Sequence, residues 1–218
     1  MLFAVDQDGQ KIPATPKAEG WCSMCEEKLI PKCGRIVTHH WAHRGEDCDP
    51  WREPETEWHR YWKSLVPPEY SEVTIPKNGI LHRADIVTRN GVVIELQHSP
   101  LGVDEIEDRE AFYGQMIWLF DVRDCRPQSV LGSDGEYYDL PDHAKQIRLR
   151  LRPKEGYHTF RWTHPRKSIA YAQSPKHLDV GSGEVFELKK MSKETPCGGW
   201  GYLKPLAAFE GWLKSQFK

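Results

Sequence analysis

Hydrophobic and polar positions follow one another with a period that changes along the chain from helix-like to strand-like and back. An acidic start, a basic close and two following prolines predict a helix in EPETEWHRYWKSLV. Three β-rich segments follow, and the tight-turn signals KNG and RNG separate them. A second helical pattern and a short apolar run come next. The predicted helix, three-strand meander, helix and strand cover about 54–65, 71–76, 80–88, 91–97, 103–115 and 116–122.

The patterns on either side of this block differ from it and predict further modules. Residues 1–50 read as short strands around a cysteine and histidine cluster, and residues 143–218 read as a basic and aromatic segment that ends in an amphipathic helix. In the latter, the glycines of CGGWG are expected to form a turn with positive φ, with Trp200 packed inward. We therefore expect an α/β fold with a mixed sheet, divided into 1–50, 51–125 and 143–218.

Composition places the chain among globular proteins. Its 218 residues include 9 Trp, 8 Tyr and 7 Phe, which excludes disorder of the whole chain. The formal net charge of −2 neither favours nor excludes a polyanionic partner, but residues 143–176 hold nine Lys or Arg and one acid, enough for one basic face. The start lacks a basic signal-peptide region, and no apolar run approaches the ~20 residues of a membrane span. We expect a cytoplasmic protein with no membrane partner, in which cysteines serve as metal ligands or thiols.

Two carboxylates interrupt the β-branched runs of ADIVTRNGVVIELQHS. Asp85 and Glu95 lie on strands predicted to be neighbours, and strand alternation places Gln97 on the same face as Glu95. Carboxylates brought together in this way repel each other unless a cation lies between them, and oxygen ligands suit Mg²⁺ or Mn²⁺. The pattern therefore predicts that Asp85 and Glu95 hold a divalent ion, which activates water and neutralises charge on a phosphate.

The first predicted helix adds a polar stripe to this hypothesis. Glu55, His59 and Lys63 are spaced i, i+4, i+8 and share one side of the helix. If that side faces the meander, Glu55 completes the metal shell, and His59 or Lys63 orients the substrate. The competing interpretation is a solvated helix face with one salt bridge.

A cysteine and histidine cluster near the start predicts a structural zinc site. Cys22 and Cys25 form a C-x2-C pair, which lets two thiolates reach one tetrahedral ion. A second pair of ligands some 15–20 residues later closes such a site. The candidates for that pair are His40, His43, Cys48 and, less favourably, Cys33.

Basic and aromatic residues suggest contacts with nucleic acid. The segment FRWTHPRKS interleaves the two types, which are the ingredients of single-strand binding, although alternation along a strand produces the same string. On the second predicted helix, an Arg and a Tyr lie one turn apart and either contact phosphate or brace the site. The candidate contacts are Arg109, Tyr113, Arg161, Arg166 and Lys167.

The element order, with D-x9-E-x-Q in the meander, resembles the PD-(D/E)XK nuclease fold. ETEWHRYWK, HRADIV, VVIELQHS and E-x-x-x-R-E-x-F-Y, together with C-x-x-C…HWAH, resemble the competence protein CoiA-like nuclease family over roughly residues 1–125. The resemblance implies an αβββαβ core and a metal-dependent nuclease that acts on DNA. It implies that Asp85 and Glu95 are the metal ligands, that Glu55 is the acid of the first helix, and that the second pair of zinc ligands is His40 and His43.

One position departs from the superfamily pattern. Gln97 stands where a lysine is usual, and a neutral amide cannot stabilise a charged phosphate as an ammonium group does. Three hypotheses follow: Lys63 supplies the charge, the metal alone suffices, or the chain is a non-catalytic, zinc-bearing DNA-binding or recruitment protein. A nuclease that acts on RNA is a further alternative.

Overall fold

A computed structural model of the chain describes residues 1–34, 38–45, 48–123, 129–131, 137–139, 147–152, 156–162, 165–194 and 197–218. Cys125 and most of the predicted connection after it lie outside the described residues. The chain forms two compact units, one of Met1–Glu95 with Lys214–Lys218 and the other of Leu96–Leu213. Within the part of the chain that the structure describes, the helices are too short or too polar to cross a membrane.

The first unit contains short N-terminal strands, one helix and a three-strand meander. The elements are β1 (Phe3–Val5), β2 (Lys11–Pro13), β3 (Ile30–Lys32), β4 (His40–Ala42), α1 (Glu57–Ser64), β5 (Ser71–Lys77), β6 (Ile80–Val87) and β7 (Val93–Gln97), of which β7 ends beyond the boundary of the unit.

Both tight turns predicted from KNG and RNG are confirmed, and they set the register of the meander. Antiparallel β5 and β6 meet at the pair Lys77 and Ile80, across a turn in which Asn78 and Gly79 both have positive φ. Positive φ at both positions is the conformation of a two-residue hairpin turn that matches strand twist. Antiparallel β6 and β7 join through a loop in which Gly91 has a φ of 78°.

Helix α1 begins at Glu57 because Thr56 caps it. The Thr56 hydroxyl accepts the His59 N–H, and the His59 ring accepts the Thr56 N–H, so the two residues form a capping box. Trp58 and Trp62 are buried on this helix. The predicted helix is confirmed, with a start about three residues later than the sequence indicated.

The short N-terminal strands enclose a small apolar core around Trp41. The Trp41 ring is fully buried, and its indole N–H donates to the carbonyl of Ile12 at 3.0 Å. Few apolar side chains contribute to this core, so it depends on other stabilising contacts. Its buried members are Met1, Ala4, Ala14, Cys22, Leu29 and Trp41.

The second unit contains a mixed sheet with strand order β11-β12-β15-β14-β13-β8, in which β8 and β13 are parallel and the other pairs antiparallel. The predicted second helix, the strand after it and the closing helix are confirmed. The elements are α2 (Val103–Tyr113), β8 (Met116–Asp121), β9 (Ser129–Leu131), β10 (Tyr137–Asp139), β11 (Ile147–Arg152), β12 (Tyr157–Trp162), β13 (Lys176–Gly181), β14 (Glu184–Met191), β15 (Cys197–Pro205) and α3 (Leu206–Ser215).

The expectation of a CGGWG turn was wrong. These residues lie in β15, and none of their glycines has positive φ. A Cβ on Gly199 would lie 1.9 Å from the Lys190 carbonyl oxygen, and one on Gly201 would lie 2.2 Å from that of Glu187. These glycines therefore permit close packing on one face, and alternation places Trp200 on the opposite face, not inward.

This packing predicts different effects at two neighbouring glycines. Gly199→Ala should lower the free energy of unfolding by about 1–3 kcal/mol, because the added methyl group overlaps the β14 backbone. Gly198→Ala is the matched control, since its Cβ would meet only the Phe160 carbonyl oxygen, at an ordinary 3.5 Å. Urea unfolding measures the free energy of unfolding of both variants. An equal loss in the two variants would contradict the close packing of Gly199.

Candidate functional site

A buried lysine lies at the centre of the carboxylates in the first unit. The Lys63 Nζ donates to Asp85 Oδ1 at 2.9 Å, to Glu55 Oε2 at 3.0 Å and to Glu72 Oε1 at 3.2 Å. The Lys63 side chain is only 4 % exposed. Burial by itself lowers the pKa of Lys63, but the charges of the three carboxylates outweigh it and raise that pKa well above its usual range. Lys63 is therefore a fixed cation.

Glu72 joins the cluster through the register of the hairpin. Val73 pairs with Ala84, so the next position sets Glu72 opposite Asp85 on the neighbouring strand. Glu72 has a φ of 51°, a conformation in which non-glycine residues are uncommon. Its carboxylate accepts the N–H groups of Leu2 and Phe3 at 2.9–3.1 Å, besides the Lys63 ammonium.

Glu95 extends the row to the third strand. Ile86 pairs with Ile94, and the same register continued by one position sets Asp85 opposite Glu95. The Asp85 N–H donates to Glu95 Oε1 at 3.3 Å. Three acidic residues therefore occupy one row across β5, β6 and β7. The Asp85 side chain is 20 % exposed, whereas Glu95 is 2 % exposed, so Asp85 is the more open of the two predicted metal ligands.

His59 lies beside the cluster and contacts a different acid. Its Nε2 is 2.7 Å from Glu53 Oε1, and its Nδ1 contacts Thr56. Burial lowers the pKa of His59, but the Glu53 hydrogen bond and the charges of Asp85 and Glu53 outweigh it, so the pKa is raised. The predicted stripe is corrected at Glu55, which lies before the helix because α1 begins at Glu57. The Glu55 carboxylate nevertheless contacts the Lys63 ammonium, and His59 forms the capping box at the start of the helix.

The remaining residues predicted for catalysis or nucleic-acid binding lie in the second unit. Gln97 is buried in β7, and its Nε2 donates to the Ser99 carbonyl at 2.8 Å. Arg109 is also buried and forms an i, i+4 ion pair with Glu105, an arrangement that favours bracing of α2 over contact with phosphate. Its predicted neighbour Tyr113 packs edge-on against Phe112.

Three predicted basic residues of this unit differ in their surroundings. Arg161 is exposed on β12, and Lys167 is exposed at the start of a short 3-10 helix. The Arg166 guanidinium donates to the carbonyl of His98 at 2.6 Å. The contacts of all three with nucleic acid stay predictions.

The cysteine and histidine cluster of the first unit could hold a metal such as zinc. One ligand atom from each of Cys22, Cys25, His43 and Cys48 lies within 4.8 Å of the other three. Among the residues that the structure describes, no other group of three or more Cys, His, Asp or Glu meets this condition. Three sulfur atoms and one imidazole nitrogen form the ligand set typical of a closed, tetrahedral structural zinc site.

The geometry chooses among the alternatives for the second pair of ligands. His43 Nε2 lies 3.4 Å from Cys25 Sγ, and Cys48 Sγ lies 3.6 Å from Cys22 Sγ. His40 lies outside the cluster, which corrects its inclusion among the ligands. His40 lies in β4, and its Nδ1 is 2.9 Å from the carbonyl oxygen of Thr38. Cys33 instead packs against the N-terminal core.

The local backbone prepares the C-x2-C pair for an ion. The Met24 N–H donates to Cys22 Sγ, and Glu26, just after Cys25, turns the chain with a φ of 61°. Burial raises the pKa of Cys22, but the N–H groups of Cys25 and Met24 outweigh it, so the pKa is lowered. Burial and the contact with Cys22 raise the pKa of Cys48.

Contacts made by two residues, Arg83 and Asp49, connect this cluster to the strand that carries Asp85. The Arg83 guanidinium lies 3.5 Å from Cys22 Sγ and 4.0 Å from Cys48 Sγ. Asp49, next to Cys48, accepts the Arg83 N–H at 2.7 Å and contacts the His82 ring at 2.9 Å. The cluster and the acids are therefore tied to one strand, β6.

Comparison of the chain with family models, curated proteins and solved structures gave no match. The site rests on its own geometry, and part of that geometry was missing from the sequence interpretation. Glu72 and Glu53 were not among its candidates, nor were Asp49 and Arg83. The KNG turn contained a signal for Glu72. If Lys77 pairs with Ile80 across this turn, the residues five positions further from the turn on the two strands are Glu72 and Asp85, which therefore lie opposite each other.

The cluster predicts a metal content and a pattern of sensitive residues. The purified chain should contain one zinc ion, measured by elemental analysis, and His43→Ala or Cys25→Ser should weaken zinc binding at least about tenfold, because each removes one of four ligands. His40→Ala and Cys33→Ser are the matched controls and should retain the ion. Loss of zinc in His40→Ala equal to that in His43→Ala would contradict the assignment.

The surroundings of Glu72 predict acid sensitivity. Burial raises the pKa of Glu72, but Lys63 and the N–H groups of Leu2 and Phe3 outweigh it and lower it to about 2 from an ordinary 4.5. A lowered folded-state pKa contributes stability that is fully present above pH 4.5 and is lost as pH falls towards 2.

The wild type should therefore lose on the order of 2–3 kcal/mol more unfolding free energy than Glu72→Gln between pH 5 and pH 2. Urea titrations at several pH values measure this difference. Glu69→Gln removes an exposed acid and should follow the wild-type profile. Parallel profiles for wild type and Glu72→Gln would contradict the role of Glu72.

Proposed function

We propose that this chain is a Mg²⁺- or Mn²⁺-dependent nuclease that hydrolyses phosphodiester bonds of DNA, as the resemblance to the CoiA-like family implies. The observation that carries the proposal is the row of acids at Asp85 and Glu95, with the Lys63 ammonium 2.9 Å from Asp85 Oδ1. A fixed cation beside a partly open carboxylate is the arrangement that phosphate chemistry needs.

Asp85 and Glu95 fit a hard divalent cation, because Mg²⁺ takes oxygen ligands and is commonly held by one or two carboxylates. When bound, such an ion supplies an activated water and neutralises charge on the phosphate. The residues of the chain provide the rest. Lys63 supplies the positive charge that Gln97 lacks, and Glu55 and Glu72 hold its ammonium group in place.

Zinc has a structural role in this proposal. Four protein ligands leave no open position for water at Cys22, Cys25, His43 and Cys48, so an ion there stabilises the small N-terminal core and does not activate water. Its thiolates must stay reduced, which accords with the cytoplasmic location expected from the sequence.

A second candidate function is a non-catalytic, zinc-bearing DNA-binding or recruitment protein. The observation that favours it is the same lysine, since three carboxylates already neutralise the Lys63 ammonium. In this case the ion pairs only hold α1 against the meander. The two functions differ in cleavage and not in DNA binding.

The test is cleavage of plasmid DNA and of linear single strands in Mn²⁺ and in Mg²⁺. An Asp85→Asn/Glu95→Gln double variant should lose at least about 100-fold in rate, because it removes both proposed ligands of the ion. An Asp104→Asn/Glu107→Gln double variant removes two exposed acids of α2 and is the matched control. Equal cleavage by the wild type and the Asp85 variant would end the proposal.

A parallel RNA substrate separates deoxyribonuclease from ribonuclease activity. DNA binding without cleavage in any divalent metal would favour the recruitment function instead.

A further inference from the structure

The mixed sheet of the second unit has two faces of opposite character. Phe160 and Phe186 are buried on one face and meet edge to face at 5.7 Å. Gly199 and Gly201 lie above these rings, since a Cβ on either would approach a ring carbon within 2.8 Å. The residues that alternate with these glycines therefore belong to the other face.

That second face carries a continuous group of three aromatic rings, the aromatic triad Tyr157, Trp200 and Tyr202. The Trp200 ring centroid lies 5.5 Å from that of Tyr157 and 5.9 Å from that of Tyr202. In the register, Thr159 pairs with Trp200 and His158 with Gly201, so Tyr157 lies opposite Tyr202. All three aromatic residues are half-buried. Each of the three residues therefore keeps part of its surface accessible to solvent.

Positive charge surrounds the triad. Lys190 pairs with Trp200 across the strands, and the Lys189 ammonium lies 6.0 Å from the centre of the Tyr202 ring. Arg161 and Lys204 are exposed and belong to the same face by strand alternation. Arg161 is two residues after Thr159 on β12, and Lys204 is two residues after Tyr202 on β15. Glu187 lies among these residues and forms ion pairs with Lys189 and Lys204. These residues carry four positive charges against one negative.

The next strand in the order, β11, is rich in arginine in its sequence. Strand β11 has the sequence IRLRLR and pairs with β12. Its backbone register sets Arg148, Arg150 and Arg152 opposite Arg161, Thr159 and Tyr157.

We propose that this face binds single-stranded nucleic acid, with bases stacked on the aromatic triad and the backbone phosphates held by the surrounding lysines and Arg161. Stacking requires bases that are not already paired, while cations alone would accept duplex equally well. The combination of rings and cations therefore favours a single strand. The inference deepens the proposed function by naming its substrate class, but the binding itself does not depend on hydrolysis.

The test is fluorescence anisotropy of a labelled 15-nucleotide strand with the full chain in buffer free of Mg²⁺ and Mn²⁺, which prevents cleavage that depends on these ions and leaves zinc at its ligands. A Trp200→Ala/Tyr202→Ala double variant should raise Kd about 10- to 100-fold, because base stacking on each ring is lost. Trp200→Phe/Tyr202→Phe keeps two rings and should stay within about threefold of wild type. Tyr61→Ala removes an exposed aromatic residue of the first unit and is the matched control.

Charge is tested with salt and with duplex. Lys190→Gln should reduce the slope of log Kd against log salt by about 0.7 if it holds one phosphate of a single strand. A duplex of the same sequence should bind at least about tenfold more weakly, since its bases are already stacked. Strands of DNA and RNA run in parallel show which of the two sugars the face accepts.

Two results would overturn the inference. One is wild-type affinity in the folded Trp200→Ala/Tyr202→Ala variant, with folding checked by circular dichroism. The other is equal affinity for duplex and single strand. Failure of the proposed hydrolysis is a different outcome, because a chain that binds single strands without Mg²⁺ or Mn²⁺ and cleaves nothing in Mn²⁺ retains this face and loses the nuclease assignment.

Discussion

The buried ammonium group of Lys63 constrains the first unit more than any other interaction described. Removing an ammonium group from water costs several kcal/mol, and only well-placed opposite charges offset that cost. Three carboxylates do so here, from the segment before α1, from β5 and from β6. The positive φ of Glu72 is understandable in this setting, because the ion pair and two backbone N–H groups hold its side chain in place. The position of the helix and the register of the hairpin are thus mutually dependent.

The same strand connects this cluster to the cysteine and histidine site. Asp49 binds the backbone of β6 at Arg83, and the Arg83 guanidinium reaches two of the sulfur atoms. Asp85 follows two residues later. A small N-terminal core with few apolar side chains is thereby attached to the meander, next to a cluster of cysteines and a histidine that could hold a metal. Groups that hold metal ligands from outside commonly influence affinity as much as the ligands' own geometry does.

The second unit relies on packing more than on charge. Along β15, glycines lie over buried phenylalanine rings while Trp200 and Tyr202 occupy the other face. Strand β15 thus packs its glycines against the core on one face and places aromatic rings on the other, because successive side chains of a strand point to opposite sides. Glu187 lies on the same face as Trp200 and Tyr202. Partial burial raises the pKa of Glu187, but the hydrogen bonds and charges of Lys189 and Lys204 outweigh it and lower that pKa to about 2.

The sequence by itself determined the order of helices and strands from α1 to β8, both hairpin turns and the C-x2-C pair, because each depends on neighbours within a few residues. It also indicated that Glu55 and Lys63 belong together, although Glu55 reaches Lys63 from the segment before the helix and not from the predicted helical stripe. Tertiary structure decided the rest. Only the folded chain could choose His43 and Cys48 over His40, place Glu72 opposite Asp85, or turn CGGWG into a packed strand. Those outcomes depend on contacts between residues distant in sequence, where strand register and close packing outweigh local preference.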